Sequence, residues 1–171
     1  MRAAVVVLVV VVFIGTFGTA PVGASGRARP SLSGVQYDSL SGVSCNMTGC
    51  TAVGYYSGDS TGGKELTLAE RWNRTNWAIQ QTPNPAGASY SELSGVSCTS
   101  ATACTAVGYY YGTITGGNEV ALAERWNGAS WAIQPVPIPV GASYSELSEV
   151  SCTSTMTCTA VGDEFNRAGK R

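Results

Sequence analysis

The sequence predicts an all-β protein made of tandem four-stranded repeats, and three observations support this prediction. First, the stretch Leu-Ser-Gly-Val-Ser-Cys, a short polar gap and Cys-Thr-Ala-Val-Gly occur nearly three times, with Glu149 replacing the glycine in the third copy. Second, equivalent cysteines and tryptophans recur 53 or 54 residues apart, and such a period indicates a repeat architecture. Third, no window outside the N-terminal segment has sustained helical periodicity, whereas Val, Thr, Tyr and Trp favour strands.

Within one repeat, the turn residues divide the chain into short strands. Glycine-rich or proline-containing segments separate runs of β-branched and aromatic residues, as between the strands of antiparallel sheets. For the second repeat the predicted strands cover residues 90–98, 104–111, 119–127 and 131–136.

The third of these strands predicts a sheet that is buried on both faces. Val120 and Leu122 share one face, and the small residues Ala121 and Ala123 share the other, so both faces carry apolar side chains. A repeated four-stranded antiparallel sheet buried on both faces is typical of a β-propeller blade, and the period is close to that of kelch-type blades. A β-sandwich of consecutive hairpins is the alternative, although it would not require so regular a spacing.

The N-terminus predicts export. Arg2 precedes an apolar run, and Val22-Gly23-Ala24 then provides the small-x-small pattern of a signal peptidase site, so cleavage is expected after Ala24. The protein is therefore expected to be secreted and extracellular, and the alternative is a membrane anchor formed by residues 3–20. The predicted division is a signal peptide (1–24), a lead-in segment (25–39), repeat 1 (40–92), repeat 2 (93–146) and a partial repeat 3 (147–171).

The six cysteines predict disulfides, in agreement with export. An even number of cysteines in an exported chain indicates disulfide bonds, and the repeat favours pairing within each local pair across a hairpin. A zinc site is not supported because the chain has no histidine and the cysteine gaps are too long. No metal and no cofactor are therefore expected. The predicted pairs are Cys45–Cys50, Cys98–Cys104 and Cys152–Cys158.

Composition argues against several classes of function. A net charge of −1 with 12% charged residues provides no basic patch for a nucleic acid. The segment 58–64 resembles a phosphate-binding loop, but Glu65 stands where a Ser or Thr would bind magnesium, and the flanking segments are predicted to be strands. Without histidine, Ser-His-Asp and Cys-His catalysis is excluded within this chain. Acidic residues recur once per repeat, which favours structural roles over a catalytic pair; they are Glu65/Glu119, Glu70/Glu124 and Glu92/Glu146.

The aromatic residues are the best candidates for binding. Exposed tyrosines offer flat apolar surface with a hydroxyl group, which suits sugar rings or a partner protein. The tryptophans, at positions 72, 77, 126 and 131, are expected to pack between sheets. The candidate ligand-binding residues are Tyr55, Tyr56, Tyr109, Tyr110 and Tyr111.

The motif Val-Ser-Cys-x5-Cys-Thr-Ala-Val-Gly, followed by Arg-Trp-Asn-Gly-x-Ser-Trp, resembles secreted bacterial repeat proteins of the propeller type. It is also distantly similar to Asp-box and photosystem-assembly-factor repeats, and the resemblance covers residues 32–162. Trp72 and Trp126 stand where the Asp-box aspartate would be, so the resemblance does not imply a sialidase activity.

The number of repeats limits the functional prediction. Two complete repeats and a partial third cannot close a propeller of roughly four to eight blades, so either several copies complete a ring or the chain is a fragment. The sequence predicts a secreted, non-catalytic binding protein for a carbohydrate or a partner protein. The alternatives are a truncated piece of a larger propeller without independent function, or a glycoside-cleaving propeller-type enzyme. Contact with a membrane is expected only if the N-terminal segment is not cleaved.

Overall fold

The computed structural model describes residues 34–140 and 142–165 as strands joined by turns. Two 3-10 turns, Asp59–Thr61 and Thr113–Thr115, occupy equivalent loops. The predicted signal peptide and most of the lead-in segment lie outside the described residues. The strands are β1 (Val35–Asn46), β2 (Gly49–Gly58), β3 (Glu65–Trp72), β4 (Trp77–Gln80), β5 (Ala88–Ser100), β6 (Ala103–Gly112), β7 (Val120–Trp126), β8 (Trp131–Gln134), β9 (Tyr144–Ser154) and β10 (Thr157–Phe165).

Each repeat of the sequence forms its own set of strands, but these sets begin earlier than predicted, at Val35, Ala88 and Tyr144 and not at residues 40, 93 and 147. From here on, the first, second and third repeats are those that begin at these three residues. Strands β1 to β4 form one antiparallel meander and β5 to β8 form a second. A single parallel bridge between Glu65 and Tyr90 joins the two meanders into one eight-stranded sheet. Strands β9 and β10 form a separate hairpin, which belongs to the third repeat and is called the third hairpin below. The all-β prediction is confirmed, and no sheet closes on itself within residues 34–140 and 142–165.

Apolar residues hold the repeats face to face. Val53 and Ala69 of the first meander form one buried cluster with Leu93 and Leu122 of the second. A smaller cluster lies between the second meander and the third hairpin, where Val107, Ala123 and Val150 meet. Because successive side chains of a strand point to opposite faces, β7 contributes Leu122 to one cluster and Ala123 to the other. The second meander is therefore buried on both faces, as its sequence predicts.

The glycine of the Leu-Ser-Gly-Val-Ser-Cys stretch lies where the first strands of successive repeats approach each other. A Cβ atom on Gly42 would lie 2.9 Å from the Ser94 carbonyl oxygen, and one on Gly95 would lie 2.9 Å from that of Ser148. These distances are too short for a side chain, so glycine is required wherever another repeat follows. The equivalent residue of the third hairpin is Glu149, which is exposed. A further repeat in the same register would collide with the Glu149 side chain.

Serine hydroxyl groups connect the same strands. The Cys98 backbone N–H donates to Ser44 Oγ at 3.0 Å, and the Cys152 N–H donates to Ser97 Oγ at 3.0 Å. Each bond satisfies a backbone donor of the following repeat, and an unpaired donor would destabilise the edge of that strand. The Val-Ser-Cys part of the repeated stretch therefore provides a hydrogen bond between repeats as well as a disulfide.

The predicted disulfide pairing is confirmed. The bonds Cys45–Cys50, Cys98–Cys104 and Cys152–Cys158 each close one hairpin. The paired Cα atoms are 4.0 Å apart, closer than the roughly 5.5 Å expected for a hydrogen-bonded cross-strand pair. The physical reason is that the Cys98 and Cys152 N–H groups bond to the preceding repeat, as expected at a non-hydrogen-bonded position, where the strands lie closer.

The outer face of the first meander is apolar. Leu40, Val43, Ala52 and Trp77, which we call the first-repeat face, line a shallow depression, and Val43 is 64% exposed. The equivalent residues of the second meander are buried against the first meander. They are Leu93, Val96, Ala106 and Trp131. The first-repeat face thus carries the same pattern of residues as a buried contact between repeats.

Candidate functional site

A row of tyrosines crosses the boundary between the first and second repeats. Tyr37 of β1, Tyr55 of β2, Tyr90 of β5 and Tyr109 of β6 form this tyrosine row, in which successive ring centroids lie 5.4 to 5.9 Å apart. Tyr111 also stacks on Tyr90, with centroids 4.9 Å apart and planes 5° from parallel. The row exists only when the two repeats pack together, because the contact between Tyr55 and Tyr90 joins them.

Hydrogen bonds order the hydroxyl groups of the row around one carboxylate. The Tyr90 hydroxyl donates to Glu92 Oε2 at 2.6 Å, and Ser41 Oγ of the first repeat donates to Glu92 Oε1 at 2.9 Å. The Tyr109 hydroxyl lies 3.2 Å from the Tyr90 oxygen. At the exposed end, the hydroxyl groups of Tyr55 and Tyr37 are 3.4 Å apart. Both repeats therefore supply polar groups to the site.

The environment raises the pKa of three phenols of the row. The hydrogen bond with Tyr37, followed by burial, raises the pKa of Tyr55 to about 12. Burial, followed by the hydrogen bond to Glu92, raises the pKa of Tyr90 above its usual value, and burial also raises the pKa of Tyr109. A phenol in this state donates a hydrogen bond and is not a nucleophile at neutral pH. The site can bind a ligand through apolar rings, hydroxyl donors and a carboxylate acceptor.

The structure separates the five predicted tyrosines into different environments. Tyr55 and Tyr109 belong to the tyrosine row, and Tyr111 stacks on it. Tyr110 instead packs against the buried cluster between the first two meanders. Tyr56 is half-buried beside Leu68 and Ile79, outside the row.

Sequence reasoning did not place Tyr37, Tyr90, Glu92 or Ser41 in the site. Tyr37 and Tyr90 occupy equivalent positions, 53 residues apart, and Glu92 follows two residues after Tyr90. This spacing was a signal that could have identified them, since Tyr144 and Glu146 continue it 54 residues later. Strand alternation alone places Tyr90 and Glu92 on one face, but it does not reveal that Tyr55 lies beside them.

The tryptophans pack in pairs, away from the tyrosine row. Trp72 with Trp77, and Trp126 with Trp131, have ring centroids 5.8 Å apart at the ends of their hairpins. Trp131 is buried, and its Nε1 donates to Gln80 Oε1 of the first meander at 3.0 Å. In the second repeat the tryptophans therefore hold sheets together, as the sequence predicts.

Two glutamates that occupy equivalent positions in the first and second repeats are buried. Glu70 is 2% exposed and Glu124 is 0% exposed. Within the part of the chain that the structure describes, neither carboxylate oxygen of Glu124 has a hydrogen-bond partner. Burial raises the pKa of Glu124 from its ordinary value of 4.5 to about 8. The Thr67 hydroxyl is close enough to offset part of this increase, although it donates its hydrogen bond to Thr82 Oγ1. Because Glu124 is inaccessible, it cannot act on a substrate at the surface.

The described residues offer neither a metal centre nor a membrane-spanning helix. Residues 34–140 and 142–165 hold no group of three or more His, Cys, Asp or Glu side chains arranged for a metal. The same ranges include no helix that is long and apolar enough to cross a membrane. All six cysteines are in disulfides, which are typical of proteins in oxidising compartments.

No protein-family model matches the chain, and no curated protein or solved structure matches it either. The geometry of the tyrosine row is therefore the basis of the functional proposal.

Proposed function

We propose that the protein is a secreted, non-catalytic binding module that recognises a carbohydrate through the tyrosine row. The observation that carries the proposal is the continuous line of four tyrosine rings beside Glu92, supplied jointly by two repeats. Secretion is supported by the N-terminal sequence and by the three disulfides.

The chemistry of the row suits a sugar. Aromatic rings provide apolar surface for the C–H groups of a pyranose, while phenol hydroxyls and a carboxylate bond to its hydroxyl groups. Tyr37 is 55% exposed, and the other three tyrosines are half-buried, so the row is partly open to solvent while the contacts between rings hold its members in place. A preorganised set of groups loses little conformational entropy on binding.

We favour a binding module of propeller-like repeats over an enzyme. The phenols of Tyr55, Tyr90 and Tyr109 are held protonated by their raised pKa values. Glu92 already accepts hydrogen bonds from Tyr90 and Ser41, and the carboxyl with a strongly raised pKa, Glu124, is buried. A glycoside-cleaving site requires two accessible carboxyls on either side of the scissile bond. The face-to-face stacking of the two meanders supports the propeller-like arrangement of the repeats.

The experiment is a glycan array probed with the exported protein, followed by calorimetric titration of the best ligand. Tyr37→Ala is expected to weaken binding at least tenfold, or about 1.4 kcal/mol, because Tyr37 is the most exposed ring of the row. Tyr56→Ala is the matched control, since Tyr56 lies outside the row, and it should bind as the wild type does. Binding to no glycan, or equal losses in both variants, would refute the proposal.

A further inference from the structure

The outer edge of β10, which is the edge that faces away from β9, differs from the equivalent edges of β2 and β6. In the first two repeats, β3 pairs with the outer edge of β2 and β7 pairs with that of β6. Among residues 34–140 and 142–165, β10 pairs with β9 only, and all nine of its residues are exposed. An exposed strand edge carries unpaired N–H and C=O groups that can accept another strand.

A cavity lies next to this edge. It has a volume of about 140 Å³, and its lining includes Val136 and Pro137 of the second repeat with Leu147 and Gly162 of the third hairpin. Gly162 cannot carry a side chain, because a Cβ atom there would lie 1.9 Å from the Glu146 carbonyl oxygen. Residue 162 therefore cannot fill the neighbouring space with a side chain of its own.

The complete repeats show what fills the equivalent space. Gly54 pairs with Leu68, and Gly108 pairs with Leu122, in the same register. Both leucines are buried, and Leu122 belongs to the cluster that joins the first two meanders. The cluster against the third hairpin has no counterpart of Leu122 among its members. The cavity thus occupies the position that a leucine takes in the other two repeats.

We propose that the edge of β10 is a docking site for an extended peptide of a partner protein, which adds an antiparallel strand and inserts a leucine into the cavity. Strand addition of this kind obtains affinity from main-chain hydrogen bonds and specificity from pockets for alternate side chains. The register of β6 with β7 places the peptide leucine opposite Gly162 and a small residue opposite Val161.

The acidic residues at the edge of β10 add a requirement for the charge of the bound peptide. Asp163 and Glu164 lie at the end of β10 where an antiparallel peptide would place the residues preceding its leucine. In the second repeat the corresponding residue, opposite Tyr110, is Val120, two positions before Leu122. A basic residue at that position of the peptide would lie opposite Glu164, and opposite charges across a strand pair are favourable. The partner segment therefore has the form basic–any–leucine–small.

The test uses a labelled peptide of residues 119–134, which reproduces β7 and β8, added to the exported protein. Fluorescence anisotropy is expected to show saturable binding, and hydrogen exchange should show new protection at residues 157–165. Replacing Val120 of the peptide by Lys should tighten binding in low salt. Replacing Leu122 of the peptide by Asp should weaken binding at least tenfold.

Variants of the protein supply matched controls. Val136→Phe fills the cavity without changing β10, so it should weaken binding at least tenfold, whereas Ile138→Phe, close in sequence but outside the cavity lining, should have no effect. Absence of binding, binding without protection of β10, or equal affinity for the Leu122→Asp peptide would overturn the proposal. Dimerisation of the protein through β10, detected by light scattering and excluding the peptide, would overturn it as well.

Discussion

The buried carboxyl of Glu124 gives the clearest quantitative prediction. In the folded protein burial raises its pKa from 4.5 to about 8, whereas the unfolded chain exposes the group to water. Between these values the unfolded state releases the proton first, so the free energy of unfolding falls as pH rises. The contribution of the protonated Glu124 carboxyl to the free energy of unfolding is fully present below pH 4.5 and is lost as pH increases through about 8.

The size of this pH effect follows from the difference between the pKa values of Glu124 in the folded and unfolded states. Each pH unit across this window lowers the free energy of unfolding by ~1.4 kcal/mol. The loss is therefore about 3 kcal/mol by pH 7 and 4 to 5 kcal/mol by pH 8 and above, relative to pH 4.5. Glu124→Gln keeps the shape of the side chain and removes the titration. We expect the variant to be more stable than the wild type at pH 8 and to lose the difference near pH 5.

The assay is urea unfolding of the oxidised proteins at pH 5, 6, 7 and 8, followed by circular dichroism. Gln81→Glu is the control, since it makes the reverse exchange of amide and carboxyl at an exposed position between β4 and β5. The control is expected to keep the wild-type dependence on pH. If Glu124→Gln has the same pH slope as the wild type, the reasoning about the buried carboxyl is wrong.

Three further predictions concern the contacts between repeats and the disulfides. Gly95→Ala should lower the free energy of unfolding by about 1–3 kcal/mol, measured by urea unfolding, because the new Cβ would lie 2.9 Å from the Ser148 carbonyl oxygen. Glu149→Gly should allow the third hairpin of one copy to stack on the first-repeat face of another, giving head-to-tail oligomers in light scattering, while Glu149→Ala should behave as the wild type. Replacing Cys45 and Cys50 together by serine should lower the melting temperature and reduce stability by about 2 kcal/mol, since the loop they close is short.

The prediction for Glu149 bears on the hypothesis that several copies of the chain complete a ring. Such a ring would require the third hairpin to contact the first-repeat face in the register that the internal repeats use. Glu149 occupies the close-approach position of Gly42 and Gly95, so the wild-type chain opposes this contact. Oligomerisation of the wild type through the same surfaces would contradict the interpretation of Glu149.

Strands and disulfides could be predicted from the sequence because both depend on local pattern. The first strand of the second repeat was predicted for residues 90–98 and extends over Ala88–Ser100, and alternation placed Leu122 and Ala123 on opposite faces, as observed. The close approach at Gly95 was not predicted, because it depends on the spacing between two sheets and not on one strand.

The candidate site was predicted only in part for the same reason. Tyr109 and Tyr110 are adjacent and chemically identical, but one joins the tyrosine row and the other packs into the core. The arrangement of neighbouring repeats decides which of the two is accessible. Likewise, the sequence alone does not distinguish Glu92 from Glu124. In the structure Glu92 accepts a hydrogen bond from Tyr90, whereas Glu124 is buried without a hydrogen-bond partner among the described residues.

The central claim is that the tyrosine row binds a carbohydrate, and the ring signals of the tyrosines test it most directly. Protein with isotope-labelled tyrosine can be titrated with the best array ligand while the aromatic proton shifts are recorded by NMR. We predict that the signals of Tyr37, Tyr55, Tyr90 and Tyr109 change together with one dissociation constant, while that of Tyr56 stays constant. Saturation of the protein with ligand while the four row signals remain unchanged would contradict the account.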